Sequence, residues 1–174
     1  MAKFSSSPSI VTQKTVSVTK AIAAAGNYDI EDVLSESTTH GTAWEFSAIA
    51  RKNGGKGYII KAQVICKTTA QTPRLTLYLF KAVPTSNLKD NIANTGPINA
   101  DRANYVGPID FPGMQDLGGV SDTIATPNTY GNLPIEFECA ANSNKLYGIL
   151  VTRDAITGEV AEDEYTILLT AEQY

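Results

Sequence analysis

Apolar and polar residues alternate with a period of two along most of this chain, which is the spacing of a β-strand with one buried face. Three segments, residues 10–19, 43–50 and 58–67, show the pattern in the first half. In the second of them the alternation places Trp44 and Phe46 on the same face. In the third, the predicted inward positions are Tyr58, Ile60, Ala62, Val64 and Cys66.

Strand signals continue in the second half at residues 134–139, 145–152 and 165–171. The sequence NGGKG at residues 53–57 predicts a hairpin turn, because glycine adopts positive φ without steric cost. The acidic stretch at residues 153–163 predicts a polar turn between the last two strands. Strands of this length separated by turns are typical of sandwiches and barrels.

These elements predict an all-β fold, an antiparallel β-sandwich of seven to nine strands with jelly-roll-like topology. Helix is confined to one short candidate at residues 99–105, with Asn99 or Asp101 as its N-terminal cap. A chain of 174 residues fits one domain with its own core. We expect residues 1–20 to form an N-terminal arm or first strand, and residues 21–174 to form a single sandwich domain.

The segment from Arg74 to Pro112 departs from simple alternation. Its first residues are apolar on both parities, which indicates a strand covered on both faces. The connection that follows, residues 82–117, is much longer than most connections in compact domains. It holds large apolar residues, so we expect it to be ordered and to contact a neighbouring protein. The predicted contact residues are Ile98, Tyr105, Ile109 and Phe111, with Tyr130 in a later loop.

Charge and hydropathy narrow the classes of partner. The net charge is −4, but residues 1–81 carry ten Lys/Arg and five Asp/Glu (+5), whereas residues 82–174 carry four and thirteen (−9). Such polarity can align copies that pack against each other, but the favoured interpretation is that the two sequence halves of a sandwich interleave, so that the charges are not segregated in space. The sequence has no basic stripe interleaved with aromatic residues and no apolar run near the roughly 20 residues that span a bilayer. We therefore expect neither nucleic-acid nor membrane binding, and folding in a cytosol.

Residues able to carry out chemistry are few. The single histidine, His40, lies in a Ser/Thr-rich turn that lacks the nucleophile motif of a hydrolase. Cys66 and Cys139 fall on inward strand positions, where a free thiol behaves as a small apolar side chain. The carboxylates of the long connection and of the acidic turn do not have the spacing of a calcium loop. The sequence therefore predicts a protein that is not an enzyme and that has no cofactor and no metal site.

The order of several segments resembles a group of small structural proteins that tailed bacteriophages encode near their capsid genes. The most specific segments are LTLYLFKAVPTSNLKDN, LYGILVTRDAITGE and the closing YTILLTAEQY. The similarity extends from about Gly26 to the end of the chain, and no catalytic motif comes with it. It implies a virion protein, assembled in the host cytoplasm, of the head decoration or auxiliary capsid type. The expected partners are the major capsid protein and further copies of the chain, for example in a trimer.

A second interpretation stays open. The two loop tyrosines Tyr105 and Tyr130 present aromatic rings of the kind that stack on sugars. The chain would then be a carbohydrate- or receptor-binding module of a phage tail or fibre.

Overall fold

A computed structural model of the chain describes residues 11–23, 26–68, 71–127, 132–159 and 162–174, with the side chain of Glu159 excluded. Residues 1–10 of the expected N-terminal arm lie outside these ranges. The strands of the described part are β1 (Thr12–Ala21), β2 (Gly26–Tyr28), β3 (Val33–Leu34), β4 (Trp44–Phe46), β5 (Lys56–Cys66), β6 (Leu75–Phe80), β7 (Tyr105–Phe111), β8 (Gln115–Asp116), β9 (Ser121–Ala125), β10 (Ile135–Glu138), β11 (Leu146–Thr152), β12 (Ile156–Glu159) and β13 (Glu164–Gln173). A 3₁₀ helix, Asn99–Asn104, precedes β7.

The strands form two antiparallel sheets that pack face to face. The first sheet has the order β1-β13-β5-β9-β8, with β10 also paired to β5. The second has the order β3-β11-β6-β7, with β4 also paired to β11, while β2 and β12 form a separate pair.

Eight of the described strands carry the jelly-roll pairing, which confirms the prediction. In chain order they are β1, β4, β5, β6, β7, β9, β11 and β13. The first pairs with the last, the second with the seventh, the third with the sixth and the fourth with the fifth. This nested pairing is what rolling up one long antiparallel ribbon produces, and it defines the jelly roll.

The main core lies between the two sheets, where alternate side chains of facing strands meet. Trp44 and Phe46 enter it from the second sheet, as predicted, and Val64 and Ile167 enter it from the first. The indole N–H of Trp44 donates to the carbonyl oxygen of Leu34 at 3.1 Å, so its one polar atom is satisfied inside the core.

A second, smaller cluster lies on the other face of the second sheet. Val33, Phe80, Ile149 and Val151 are buried there, and Leu88 of the connection after β6 packs on them. The two-sided apolar pattern of β6 and β11 follows from this second cluster. The predicted strand covered on both faces is thereby confirmed.

The predicted inward positions of β5 are correct for its second half and wrong for its first. Thr170 of β13 lies opposite Lys61, but the next residue, Ala171, lies opposite Ile59, so β5 has one extra residue at this point. This β-bulge reverses the parity of the strand before it. Ile59 is consequently buried, while Tyr58 and Ile60 are only half-buried.

Two predicted turns are corrected by the topology. Residues 53–57 do not close a hairpin, because β4 belongs to the second sheet and β5 to the first; the turn carries the chain between sheets. Its Gly54 has φ of +65°. The acidic stretch after β11 is not simply a polar turn, because Ile156 is buried and begins β12, which pairs with β2.

Candidate contact surface

The connection between β6 and β7 folds back over the second sheet. Residues 81–98 leave the end of β6, cross the outer cluster and reach the 3₁₀ helix, after which β7 pairs with β6 along its length. The irregular part is therefore shorter than predicted, because the second half of the expected connection is helix and strand. We call residues 81–98 the covering loop.

A buried carboxylate at the end of the covering loop fixes its beginning. Asp101 accepts hydrogen bonds at Oδ1 from the backbone and hydroxyl of Thr85, both at 2.8 Å. Its Oδ2 accepts from the backbone of Ser86 at 2.9 Å and from the Ser86 hydroxyl at 2.5 Å. Asp101 was predicted as a helix cap, but no side chain caps the 3₁₀ helix and this carboxylate binds the loop instead.

The hydrogen bonds to Asp101 favour its ionised form. Burial raises the pKa of a carboxyl group, but the hydrogen bonds from Ser86 and Thr85 outweigh burial here and lower the pKa of Asp101. Charge-assisted bonds of this kind are roughly twice as strong as neutral ones. The carboxylate is thus a firm structural clamp.

A second buried carboxylate joins the middle of the covering loop to the body of the domain. Asp90 has no exposed surface. It accepts a hydrogen bond from the hydroxyl of Tyr28 at 2.8 Å and from the backbone of Ser35 at 2.7 Å. Its own backbone N–H donates to the carbonyl of Ser37 at 2.8 Å. The loop and the β2–β3 region therefore hold each other in place.

Backbone pairing extends this attachment past Asp90. The N–H of Asn91 donates to the carbonyl of Val33 at 2.9 Å, and the N–H of Val33 donates to the carbonyl of Ile92 at 3.1 Å. The N–H of Asn94 donates to the carbonyl of Glu31 at 2.8 Å. The loop thus behaves locally like an additional edge strand beside β3.

Close backbone packing requires a glycine on the other side of the loop. A Cβ atom at Gly41 would lie 1.6 Å from the carbonyl oxygen of Leu88. No side chain fits at this position unless the covering loop moves away. The contact fixes the loop against the turn that contains His40.

The anchored loop presents apolar side chains to solvent. Val83 is 57% exposed and Ile92 is 48% exposed. Ile30, which directly precedes the Glu31 carbonyl that accepts from Asn94, is 59% exposed. An open groove of about 480 Å³ lies beside Val83 and Leu88. It is also lined by Gly41, Thr42, Ala43, Glu45 and Tyr147. We call Val83, Ile92 and Ile30 the loop surface.

The predicted contact residues divide into two groups. Ile98 and Tyr105 are half-buried, and the Tyr105 ring lies 5.3 Å from that of Phe80 and 6.4 Å from that of Tyr78. Burial, together with smaller contributions from nearby Tyr78 and Asp110, raises the pKa of Tyr105 to about 12. Ile98 and Tyr105 keep some surface for a partner.

The remaining predicted contacts are not part of such a surface. Ile109 and Phe111 were expected to face a neighbour, but they are inward positions of β7 and are buried in the main core. Their spacing of two residues is a strand signal, which the prediction overlooked when it assigned both residues to the long connection. Tyr130 lies outside the described residues. The exposed residues Val83 and Ile92 were not among the predicted contact residues. The only sequence signal for them is that each is an isolated apolar residue in a polar loop.

The other candidate residues occupy separate places. His40 is exposed, with Nδ1 3.0 Å from the hydroxyl of Thr39. Cys66 and Cys139 are buried free thiols, as predicted, and burial raises the pKa of Cys139 to about 11. In the described part of the chain no group of three or more His, Cys, Asp or Glu residues is placed to hold a metal ion. No helix within the described ranges is long and apolar enough to cross a membrane.

A partly buried ion pair lies beside the groove and links β1 to the turn at Gly41. The ammonium group of Lys20 is 2.6 Å from Oε2 of Glu36 and 5.2 Å from the centre of the Trp44 ring. Oε1 of Glu36 accepts hydrogen bonds from the backbone and hydroxyl of Thr42 at 2.7 and 2.5 Å. Burial raises the pKa of Glu36, but the bonds from Lys20 and Thr42 outweigh it and lower the pKa to about 2.

Replacing the Asp101 clamp should destabilise the domain and release the covering loop. Asp101→Ala leaves the backbone N–H groups of Thr85 and Ser86 without their acceptor, so we expect a loss of about 2–4 kcal/mol in the free energy of unfolding. Urea denaturation measures this loss. Trypsin cleavage after Lys89, inside the loop, should also accelerate. Glu136→Ala, at an exposed carboxylate of β10, is the control and should change stability by less than about 0.5 kcal/mol. Equal stability of the two variants would contradict the clamp.

Glu36 should contribute to the acid sensitivity of the fold. Its pKa in the folded state, about 2, is below the ordinary value of 4.5. The stabilisation is therefore fully present above pH 4.5 and is lost as the pH falls toward 2. In urea titrations across this range, Glu36→Gln should show a shallower decline in stability than the parent chain. Lys20→Gln should do the same, because it removes the ammonium group that holds the carboxylate ionised. An unchanged slope in both variants would show that the ion pair does not act in this way.

Comparison with known proteins assigns no family. No protein-family model and no curated protein matches the chain. Among solved structures, a chain from "Structure of a marine algae virus of the order Picornavirales" is similar over 92% of this chain and 67% of that chain, with 9% sequence identity and a TM-score of 0.22. Similarity at this level assigns neither fold nor function.

Proposed function

We propose that this chain is a non-enzymatic structural protein of a phage virion that stabilises the head by binding the major capsid protein. The observation that carries the proposal is the covering loop. It is clamped at two buried carboxylates, Asp90 and Asp101, and it holds Val83 and Ile92 exposed at the surface. Singly exposed apolar residues are common on protein surfaces, so the proposal rests on their position on an anchored loop, with Val83 beside an open groove.

The anchoring of the loop matters because association costs less conformational entropy when the contact surface is already ordered. A loop fixed before binding loses little conformational entropy on contact, so modest apolar burial yields usable affinity. A decoration protein occupies many equivalent positions on a shell, and contacts to several neighbouring subunits raise the effective affinity further. The loop surface fits this requirement better than the requirements of catalysis.

The fold and the segment resemblance support the same proposal from different directions. Jelly rolls occur in viral capsid proteins and in lectins, so the topology is compatible with a virion role without establishing it. The segments that resemble phage head proteins include the whole of β6 and most of the covering loop. The proposed contact element therefore lies where the resemblance is most specific.

Charged substitutions on the loop surface test the proposal. Val83→Asp and Ile92→Asp should each weaken binding to purified heads lacking this protein by about tenfold or more, since an apolar contact is replaced by a desolvated charge. Both side chains are exposed in the free chain, so the fold should be preserved, and this can be checked by urea denaturation. Binding is measured by co-sedimentation with the heads.

Leu117→Asp is the matched control. Leu117 is 60% exposed but follows β8, at the edge of the first sheet. Its substitution should leave head binding unchanged. Equal weakening by Leu117→Asp, or full binding by the two loop variants, would contradict the assignment of the surface. Absence of density for the protein on heads in cryo-electron microscopy would contradict the virion role itself.

Glycan binding is a second candidate, favoured by one specific arrangement. Tyr78 and Tyr105 stand side by side on the outer face of the second sheet. An open groove of about 390 Å³ nearby is lined partly by Thr76, Asp110 and Arg153, which offer hydrogen-bonding groups for sugar hydroxyls. Binding on a glycan array that disappears with Tyr105→Ala would favour this candidate over capsid binding.

A further inference from the structure

Strand β1 leaves one long sheet edge open. All ten residues from Thr12 to Ala21 pair with β13 on one side. On the other side, none of the described residues forms a backbone hydrogen bond with this stretch. A row of free N–H and C=O groups along ten residues is a template for adding another strand.

The sequence of β1 is palindromic about Ser17. Residues Lys14 to Lys20 read KTVSVTK, which is the same in both directions around Ser17. In an antiparallel pair of two such strands with Ser17 opposite Ser17, each residue faces one of its own type. We propose that β1 pairs in this register with β1 of a second copy of the chain, across a twofold axis at Ser17. The two first sheets then join into one continuous sheet.

Threonine pairs already present on the outer face extend naturally across this junction. The hydroxyls of Thr15 and Thr170 are 2.9 Å apart, and those of Thr19 and Thr166 are 2.8 Å apart. In the proposed register Thr15 lies opposite the partner's Thr19. Each pair thereby becomes part of a row of four threonines across the joined sheet. Cross-strand threonine and valine pairs stabilise antiparallel sheets.

Lysines at the two ends of the palindrome limit the strength of the pairing. Lys14 is exposed on the same face as Val16, and the described part of the chain supplies no ion-pair partner for it. In the proposed register it faces the partner's Lys20, whose charge is offset by Glu36 in its own chain. A lysine at an open edge otherwise disfavours strand addition. The two lysine pairs oppose the association, so the dimer is expected to be modest in affinity.

Paired charge substitutions at Ser17 test the twofold register. The Ser17 side chain is exposed on the outer face, so Ser17→Lys and Ser17→Asp should both fold, as thermal melting can verify. Each variant alone sets like charges opposite each other and should be monomeric in sedimentation velocity. An equal mixture sets lysine opposite aspartate and should restore the dimer seen for the parent chain.

Three outcomes would overturn this inference. One is a parent chain that stays monomeric throughout its soluble concentration range. Another is a trimer whose mass is unaffected by the Ser17 variants. The third is a mixture that does not restore dimers. Purified chain alone is used, so the result is independent of the proposed virion role.

Cysteine cross-linking supplies a matched geometric check. Ser17→Cys places two thiols directly opposite each other, within the Cα separation that disulfides tolerate, and should give a covalent dimer on mild oxidation. Gln13→Cys lies on the same face of the same strand. In this register the two copies of residue 13 are about 26 Å apart along the strand direction, so they should not cross-link. Equal cross-linking by both variants, or none by Ser17→Cys, would contradict the register.

Discussion

The burial of two carboxylates governs the shape of this protein. Asp101 and Asp90 cannot be removed from water unless hydrogen-bond donors surround them, and the donors come from segments distant in sequence. Satisfying Asp101 fixes where the covering loop begins, and satisfying Asp90 fixes its middle against β2 and β3. Leu88 of the loop packs on the outer cluster around Phe80, together with Tyr78 and Tyr105. By holding the loop, the Asp90 and Asp101 carboxylates therefore help to cover the outer apolar cluster.

The surfaces that stabilise the fold are different from the surfaces proposed to bind other molecules. The inner face of each sheet and the outer cluster are used for packing, which leaves interactions to the loop surface and to the open edge of β1. The loop surface offers isolated apolar side chains on a fixed backbone, a feature suited to a different protein. The β1 edge offers backbone groups and a palindromic sequence, suited to an identical copy. If both proposals hold, one subunit binds a shell through the loop surface and a second copy of itself through β1.

The sequence predicts the fold well because period two is a direct consequence of strand geometry. The jelly-roll class and the buried Trp44 follow from that periodicity, and the two-sided strand β6 follows from its departure from alternation, since its residues are apolar on both parities. A bulge cannot be read from it, because one extra residue at Ile60 changes no local propensity yet reverses the parity of the strand before it, including Tyr58.

The contact surface was predicted less well, and for a physical reason. Ile109 and Phe111 were assigned to a loop because a proline and glycine-rich context hid their strand spacing. The role of Asp101 was also hidden, because its partners Thr85 and Ser86 are fifteen or more residues away and no local pattern links them. Exposure of Val83 and Ile92 depends on how the loop is anchored, which only the tertiary structure shows.

The anchoring bonds require the covering loop to be ordered in the free protein. Amide hydrogen exchange followed by NMR tests this order most directly, at the N–H groups of Ser86 and Asn91, which donate to a buried carboxylate and to the carbonyl of Val33. These amides should exchange nearly as slowly as those of β6, because opening them requires breaking the buried bonds. Exchange at the rate of an unstructured peptide, with β6 still protected, would contradict the account.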